Sequence, residues 1–312
     1  MSRYQPWIAV GLAGLVGLGA GCSFRSPSAS GDAAIDHDAP PDARVDVPPD
    51  ASPDAPPGSR RVTTGLVALW RFGEGTGDRA NDSRGAVVSS PPLPPIPLSI
   101  SSSENATWVG SGLTLTSPVR VGTPGAAHVN RDVLATGEVT IEVWVSPAAA
   151  SQGGGPLPGG VPNYALVLAL SPSYAYHNAM IAQVGDRWQG RVLTEATTAN
   201  ALPVIETAAG AVAAAQPVHL VLVASATERA LYVDGTAYRA PAPNTGIGAL
   251  NKPTPAVRWF DYFPVSIGQE RDTLTEKRPW LGTIWLAAIY NRALTPAEIQ
   301  QNLALRHDCD DC

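Results

Sequence analysis

The sequence predicts an all-β sandwich domain with one short helix at its C-terminal end. The 312 residues include 30 glycines and 30 prolines, a content that suits many short strands joined by exposed turns better than a helical bundle. The segment Val139–Val145 alternates cleanly, with its valines and its isoleucine on one face. The pair Asp234–Gly235 follows another apolar run and is a strong hairpin signal, because both residues of such a turn take positive φ.

The strands are predicted from apolar runs of strand length that are bounded by turn residues. The first is Leu66–Phe72, closed by the glycine-rich segment Gly73–Gly77, and a further turn is predicted at Gly185–Asp186. After Val139–Val145 the predicted strands are Ala165–Leu170, Met180–Val184, Trp188–Leu193, His219–Ala224, Ala230–Val233, Val265–Gly268 and Thr283–Tyr290. They fall within 62–306, a length that single all-β domains reach.

The C-terminal helix is predicted from its start signals. Thr295 is a good N-cap, Pro296 suits the first helical position, and Glu298 stands where a capping box needs an acid. Leu294 and Ile299 occupy the positions of a hydrophobic staple. A short helix is therefore expected to dock on the sandwich.

Composition and charge limit the function classes. Only 15% of the residues are charged, and the formal net charge is −6, so the chain lacks the basic character expected of a nucleic-acid-binding protein. We expect no nucleic-acid partner and a monomeric chain.

The N-terminus predicts export. Arg3 precedes a short apolar run that ends at Ala20, which is typical of a secretory signal and too short to span a bilayer. The segment Leu18–Cys22 resembles a bacterial lipobox, although Gly19 stands where leucine is usual. The resemblance implies a signal peptide over 1–21 and lipidation of Cys22, with ordinary signal cleavage as the alternative. Ser23 after the cysteine implies the outer membrane, on its periplasmic or surface face.

Residues 22–61 are predicted to form a disordered stalk. They contain almost no large apolar side chain, and the motif Pro-Pro-Asp-Ala occurs at Pro40–Ala43 and again at Pro48–Ala51. Such a segment cannot bury enough apolar surface to order itself, and its prolines favour an extended chain. The alternative, calcium binding by the aspartates, lacks the glycine-centred loop spacing of a calcium hand.

The folded region resembles LamG-like, concanavalin A-like jelly-roll domains. The resemblance covers 62–306 and is carried by the opening segment Gly65–Gly77, the strand Thr140–Val145, the hairpin segments His219–Val223 and Leu231–Gly235, and, most specifically, Leu281–Ile299. It implies a two-sheet antiparallel jelly-roll sandwich. The concave face or the rim loops of such domains often bind sugars or proteins, but the fold also carries enzymes and structural modules.

No catalytic pair is predicted. The resemblance implies that a catalytic member, a glucanase, would carry the motif Glu-x-Asp-x-x-Glu on one strand. Retaining hydrolysis needs two carboxyl groups about 5–5.5 Å apart. Glu138 and Glu142 share one face of a strand, but their Cα atoms would be about 13 Å apart. We interpret Glu142 as an ordinary sheet-face residue and the chain as not an enzyme.

Calcium is a candidate ligand because domains of this type commonly bind one ion. Asn81 and Asp82 lie where a ligand of the family often falls, and their hard oxygen donors suit Ca²⁺. The alternative interpretation is a capped turn.

Five aromatic residues are candidates for ligand contact, because their ring faces can stack on sugars. Two lie in a Ser/Pro/Tyr-rich loop, and three flank loops near the C-terminal strands; the alternative for each is core packing. They are Tyr174, Tyr176, Trp259, Tyr262 and Trp280. We interpret Glu270, Arg271 and Arg278 as a charge cluster that pins a loop.

The tail 307–312 contains Cys309 and Cys312, which outside the cytoplasm are predicted to form a local disulfide.

Together these features predict a non-catalytic cell-envelope lipoprotein. Its domain is expected to bind a glycan or an envelope or extracellular protein, and to touch the membrane only through its anchor. The alternatives are a glycan-acting hydrolase with an atypical site and a purely structural envelope lipoprotein.

Overall fold

A computed structural model describes residues 60–84, 94–157, 161–173, 175–239, 250, 259–271 and 278–307. The predicted signal peptide, Cys22, most of the predicted stalk, Tyr174, Cys309 and Cys312 lie outside the described residues. No helix in the described ranges is both long and apolar enough to cross a membrane.

Two eight-stranded antiparallel sheets form the domain, which confirms the predicted all-β sandwich. The first sheet runs in the order β16 (Thr236–Arg239), β15 (Arg229–Val233), β14 (Val218–Ala224), β7 (Val139–Pro147), β18 (Gly282–Tyr290), β5 (Gly112–Leu115) and β4 (Ala106–Val109), and β1 (Leu66–Trp70) also pairs with β18.

The second sheet has the order β13 (Ile205–Glu206), β12 (Arg187–Val192), β11 (Ala179–Val184), β10 (Ala165–Leu170), β17 (Val265–Ile267), β6 (Val121–Gly122), β3 (Leu98–Ile100) and β2 (Arg79–Ala80). A separate two-stranded ribbon joins β8 (Pro156–Leu157) and β9 (Val161–Pro162). All strand pairings between these elements are antiparallel.

Local sequence signals produce the predicted turns and helix. Asp234 and Gly235 take φ values of 47° and 76° between the paired residues Val233 and Thr236. Helix α2 (Pro296–Ala304) begins with the predicted capping box, in which the Thr295 and Glu298 side chains each bond the backbone N–H of the other residue.

Helix α1 (Ala127–Thr136) was not predicted. Its N-cap makes no side-chain hydrogen bond, so the usual start signal is missing, while Gly137 ends it in the left-handed conformation with φ 72°. Val129 and Val133, one turn apart, pack it into the main core. Tertiary packing and the C-terminal glycine, rather than an N-terminal cap, therefore stabilise this helix.

The main core lies between the sheets. The inward residues of β7 predicted from alternation all belong to it, together with residues such as Leu168, Ile181, Leu220 and Ile267. A second apolar cluster lies on the outer face of the first sheet, where Leu294 and Ile299 of the helical segment cover Trp144, Val221 and Tyr290. Both faces of β7 are therefore buried.

That double burial corrects the interpretation of Glu142 as an ordinary sheet-face residue. Its side chain is fully buried: Oε1 accepts hydrogen bonds from Arg61 Nη1 at 2.7 Å and His219 Nε2 at 2.8 Å, and Oε2 accepts from Asn302 Nδ2 at 2.9 Å and the Tyr290 hydroxyl at 3.3 Å. Helix α2 and the segment around Arg61 close over the strand, which periodicity alone does not reveal.

Replacing Arg61 with methionine is expected to lower the free energy of unfolding by about 3–5 kcal/mol, because Glu142 would remain buried without its cation. The matched control is Arg239→Met, which breaks the exposed Arg239–Glu228 pair and should cost at most about 1 kcal/mol. Chemical denaturation measures both, and equal losses would contradict the assignment.

The carboxyl of Glu142 also predicts a pH dependence. Burial by itself raises its pKa, but the charge of Arg61 and the hydrogen bond from His219 outweigh burial and hold the pKa at about 2, below the ordinary 4.5. A carboxyl with a lowered folded pKa stabilises the fold above its unfolded pKa, and this contribution is lost as the pH falls from about 4.5 towards 2.

Glu142→Gln is therefore expected to be less stable than the parent chain at neutral pH and to lose less stability on acidification through this window. The difference between the two chains is the quantity to measure by denaturation, because Glu298, whose pKa is also held at about 2, titrates in both. Parallel stability curves would contradict the assigned pKa.

Candidate functional site

The outer face of the second sheet carries polar and apolar residues in register. Antiparallel pairing places Arg191, Met180, Ala169, Ser266 and Gly122 in one row across β12, β11, β10, β17 and β6. Directly paired residues share a face, and the neighbouring residues in these strands fill the main core. The row therefore faces away from the interior of the sandwich.

A buried polar group, which we call the Tyr164 cluster, lies on this face and consists of Tyr164, His177, Arg191, Glu270 and Arg278. The Tyr164 hydroxyl donates to Glu270 Oε1 and lies 2.9 Å from His177 Nε2. The guanidinium carbons of Arg191 and Arg278 lie 4.9 and 5.0 Å from the centroid of the Tyr164 ring, within cation–π range. All five side chains belong to residues that are buried.

Electrostatics hold Tyr164 protonated and Glu270 ionised. Burial raises the pKa of Tyr164, and the negative charge of Glu270 raises it further. Burial also raises the pKa of Glu270, but the hydrogen bond and charge of His177 and the bond from Tyr164 outweigh it, so the pKa lies below its usual value. The tyrosine therefore remains a donor and the glutamate an acceptor.

The Tyr164 cluster positions the chain around it. His177 Nδ1 lies 2.7 Å from Asn200 Oδ1, and Arg191 Nη1 donates to the same oxygen at 3.1 Å. Because its members are buried, the cluster does not present a reactive side chain to solvent. It fixes His177, and with it the flanking residues Tyr176 and Asn178.

Two exposed tyrosines stand at one end of the second sheet. Tyr176 and Tyr262 are 48% and 58% exposed. Each precedes a strand by three residues, and the first residues of those strands, Ala179 and Val265, both pair with Leu170. The loops that carry the tyrosines therefore leave the sheet at the same end. We call the two residues the tyrosine rim.

Buried amides fix the rim. Asn178 Nδ2 donates to the Phe260 carbonyl at 2.7 Å, and the Phe260 amide donates to Asn178 Oδ1 at 3.0 Å. Asn130 of helix α1 donates to the Phe263 carbonyl at 2.9 Å, and Asn178 Nδ2 donates to Asn130 Oδ1 at 2.9 Å. The rings of Phe260, Tyr262 and Phe263 also contact one another. The two loops are thus joined to each other and to α1.

The aromatic candidates separate by burial. Tyr176 and Tyr262 are accessible, but Trp280 is fully buried and Trp259 is 3% exposed, and both lie in the main core. The indole N–H of Trp280 donates to Gln183 Oε1, and that of Trp259 donates to Asn130 Oδ1, both at 3.1 Å. This placement corrects the expectation that Trp259 and Trp280 present a ring to a ligand.

The Asp82 carboxylate is occupied by backbone donors. It accepts from the amides of Leu69 at 3.2 Å, Arg84 at 2.9 Å and Ile96 at 3.1 Å. The amide of Asn81 donates to Glu74 Oε1 at 2.6 Å. Within the described segments, no group of three or more His, Cys, Asp or Glu side chains could hold a metal ion. Calcium binding at Asn81 and Asp82 stays a prediction.

Sequence reasoning found only part of the Tyr164 cluster. Of the predicted loop-pinning residues Glu270, Arg271 and Arg278, the first and the last lie in the cluster, where the Arg278 carbonyl accepts from the Leu166 amide at 3.0 Å. Arg271 lies outside it and donates to the Pro124 carbonyl at 2.7 Å. Tyr164, His177 and Arg191 were missed, since they are distant along the chain and share no motif. The outward position of Arg191 in an alternating strand was the one usable signal.

Solved structures with a similar fold include Trypanosoma rangeli sialidase in complex with 2,3-difluorosialic acid, at 17% identity and a TM-score of 0.54, covering 77% of this chain and 33% of the sialidase chain. Its complex with 2-keto-3-deoxy-D-glycero-D-galacto-2,3-difluoro-nononic acid matches at 17% identity and a TM-score of 0.54, covering 82% and 36%. The chain thus spans about a third of the length of these sialidase chains, and at such identity the likeness shows the fold alone.

No curated protein matches the chain. A family model described as the concanavalin A-like lectin/glucanases superfamily matches residues 121–300, more than half of the sequence. This range contains β10 to β12, β17, helix α1 and both tyrosines of the rim. The chain belongs to the concanavalin A-like lectin/glucanases superfamily, in its laminin G branch.

Proposed function

We propose that this protein is a non-catalytic cell-envelope lipoprotein whose jelly-roll domain binds a carbohydrate or protein ligand at the tyrosine rim. The observation that carries the proposal is the pair of exposed rings of Tyr176 and Tyr262 at one end of the second sheet. The superfamily and its fold support a carbohydrate- or protein-binding role.

The rim has the physical properties of a binding surface. Aromatic rings offer flat apolar faces that stack on sugars or pack in protein interfaces, and their hydroxyl groups can hydrogen-bond at the same time. The bonds from Asn178 and Asn130 hold the backbone of both loops before any ligand arrives. A preordered site loses less conformational entropy on binding.

The placement of the acidic residues supports a non-catalytic role. Glu142 is fully buried beneath α2, and the Glu138 carboxylate accepts from the Ala293 amide at 2.9 Å. Glu270 and Tyr164 are buried as well. Each of these four groups is hydrogen-bonded within the fold. The attachment to the membrane through Cys22 and the spacing by the stalk remain proposals from the sequence.

Replacement of Tyr176 or Tyr262 by alanine is expected to weaken ligand binding about tenfold or more, because a stacking face is lost while the fold is retained. The test begins with a glycan array and a panel of envelope proteins, followed by calorimetry with the best ligand. Val109→Ala is the matched control, since it removes an exposed apolar side chain from β4 of the first sheet.

Unchanged affinity in both tyrosine variants would contradict the assignment of the rim. Release of reducing ends from a polysaccharide by the purified chain would favour the alternative of a hydrolase. Absence of binding to every glycan and protein tested would favour a purely structural envelope lipoprotein.

Asn178→Ala is expected to weaken binding without removing any group that contacts the ligand. The substitution removes both hydrogen bonds between the Asn178 side chain and the Phe260 backbone, at a cost of about 0.5–1.5 kcal/mol for each bond. The free energy of unfolding and the affinity should fall together, and hydrogen exchange should report faster opening around Phe260 and Tyr262. Unchanged hydrogen-exchange protection around Phe260 and Tyr262 would contradict the role of Asn178 in holding the two loops together.

A further inference from the structure

Two arginines lie beside the tyrosine rim on the outer face of the second sheet. Arg120 Nη1 donates to the Thr123 carbonyl at 3.2 Å, and Arg271 Nη1 donates to the Pro124 carbonyl at 2.7 Å. A Cβ placed on Gly122 would lie 2.7 Å from Arg120 Nη1, so the missing side chain makes room for the guanidinium. We call Arg120 and Arg271 the arginine pair.

Among the residues that the structure describes, the arginine pair has no anionic partner. Both acceptors are neutral carbonyl oxygens, and no carboxylate in the described part of the chain forms an ion pair with either residue. Burial lowers the pKa of Arg120, and the positive charge of Arg271 lowers it further. Two neighbouring cations repel each other, and a bound anion would relieve that repulsion.

The pair is open to a ligand. Arg271 is exposed and Arg120 is half-buried, and each guanidinium uses only one nitrogen in the bonds above. Ser266 pairs with Gly122 in the row of outward-facing residues of the second sheet. Its buried hydroxyl has no hydrogen-bond partner among the described residues. Arginine presents a planar fork of donors that matches the oxygens of a carboxylate or a sulfate.

The pair is also close to the rim. A Cβ on Gly125, next to Pro124, would lie 3.5 Å from the Tyr262 carbonyl, so the turn that the arginines hold touches the loop that carries Tyr262. The whole chain has a formal net charge of −6, so the pairing of these two arginines does not follow from a generally basic composition.

We propose that Arg120 and Arg271 bind an anionic group, a carboxylate or a sulfate, of an acidic oligosaccharide held at the tyrosine rim. This inference rests on the proposed function and specifies its ligand class. An acidic oligosaccharide is favoured over an acidic peptide because a sugar ring can stack on Tyr262 while its charged substituent reaches the adjacent guanidinium groups.

The test uses the full-length chain and three oligosaccharides of equal length: a neutral galactan, a sulfated galactan and an oligogalacturonate. Calorimetry compares the parent chain with Arg120→Gln and Arg271→Gln. The matched control is Arg239→Gln, which removes the same charge from β16 of the first sheet. Thermal unfolding shows that each variant is folded, and Arg271→Lys tests whether the charge alone is sufficient.

We expect at least one acidic oligosaccharide to bind about tenfold more tightly than the neutral galactan, with an affinity that falls as salt rises. Each glutamine variant should lose about tenfold in affinity for it, and Arg239→Gln should not change. The two acidic arms show whether the bound group is a carboxylate or a sulfate.

Equal affinity for neutral and acidic oligosaccharides, unaffected by the arginine variants, would overturn this inference and leave the proposed function intact. Binding of none of the oligosaccharides would overturn it and count against the carbohydrate arm of the proposed function. Tight binding of a poly-glutamate peptide that depends on both arginines, with weak binding of every oligosaccharide, would overturn it in favour of an acidic peptide ligand.

Discussion

The carboxylate of Glu142 connects four parts of the domain outside its own strand. From the middle of β7 it accepts hydrogen bonds from Arg61 at the N-terminal border, His219 in β14, Tyr290 in β18 and Asn302 in α2. A fully buried carboxylate is costly unless it is paired and hydrogen-bonded, so these partners must all be in place when the fold is complete. The helix and the N-terminal border are thereby fixed to the first sheet.

The second sheet places its polar network on the face that carries the candidate site. The Tyr164 cluster and the amides of Asn130 and Asn178 bond side chains and backbone groups from distant parts of the chain. Buried polar networks of this kind specify one arrangement, because each unpaired member would lose its hydration without a replacement. The first sheet thus anchors the ends of the domain, and the second orders the loops that bear Tyr176 and Tyr262.

Charge is distributed unevenly over this second face. Glu270 is buried and bonded within the Tyr164 cluster, whereas Arg120 and Arg271 lie at the accessible edge and bond only neutral carbonyls. The carboxylate is used to order the structure, and the arginines retain donors for another partner. This contrast is the basis for proposing an anion-binding surface on a protein with net negative charge.

The sequence by itself determined the longer strands, the Asp234–Gly235 hairpin and the capped helix α2, because these depend on alternation, turn residues and capping groups that are local in the chain. The short strands β2 to β6, β8, β9, β13 and β16 were not predicted. It also identified Tyr176 and Tyr262 as candidates, but it could not separate them from the buried Trp259 and Trp280. Aromatic residues suit a core and a binding surface equally well.

Only the tertiary structure decided which groups meet. Glu142 and Arg61 are 81 residues apart, Tyr164 and Glu270 are 106 apart, and Arg271 contacts the Pro124 carbonyl across 147 residues. Such contacts depend on sheet order and strand register, which are set by packing over the whole domain rather than by any local motif. Helix α1 also depends on packing over the whole domain, since two valines in the core stabilise it where its own N-terminal sequence offers no cap.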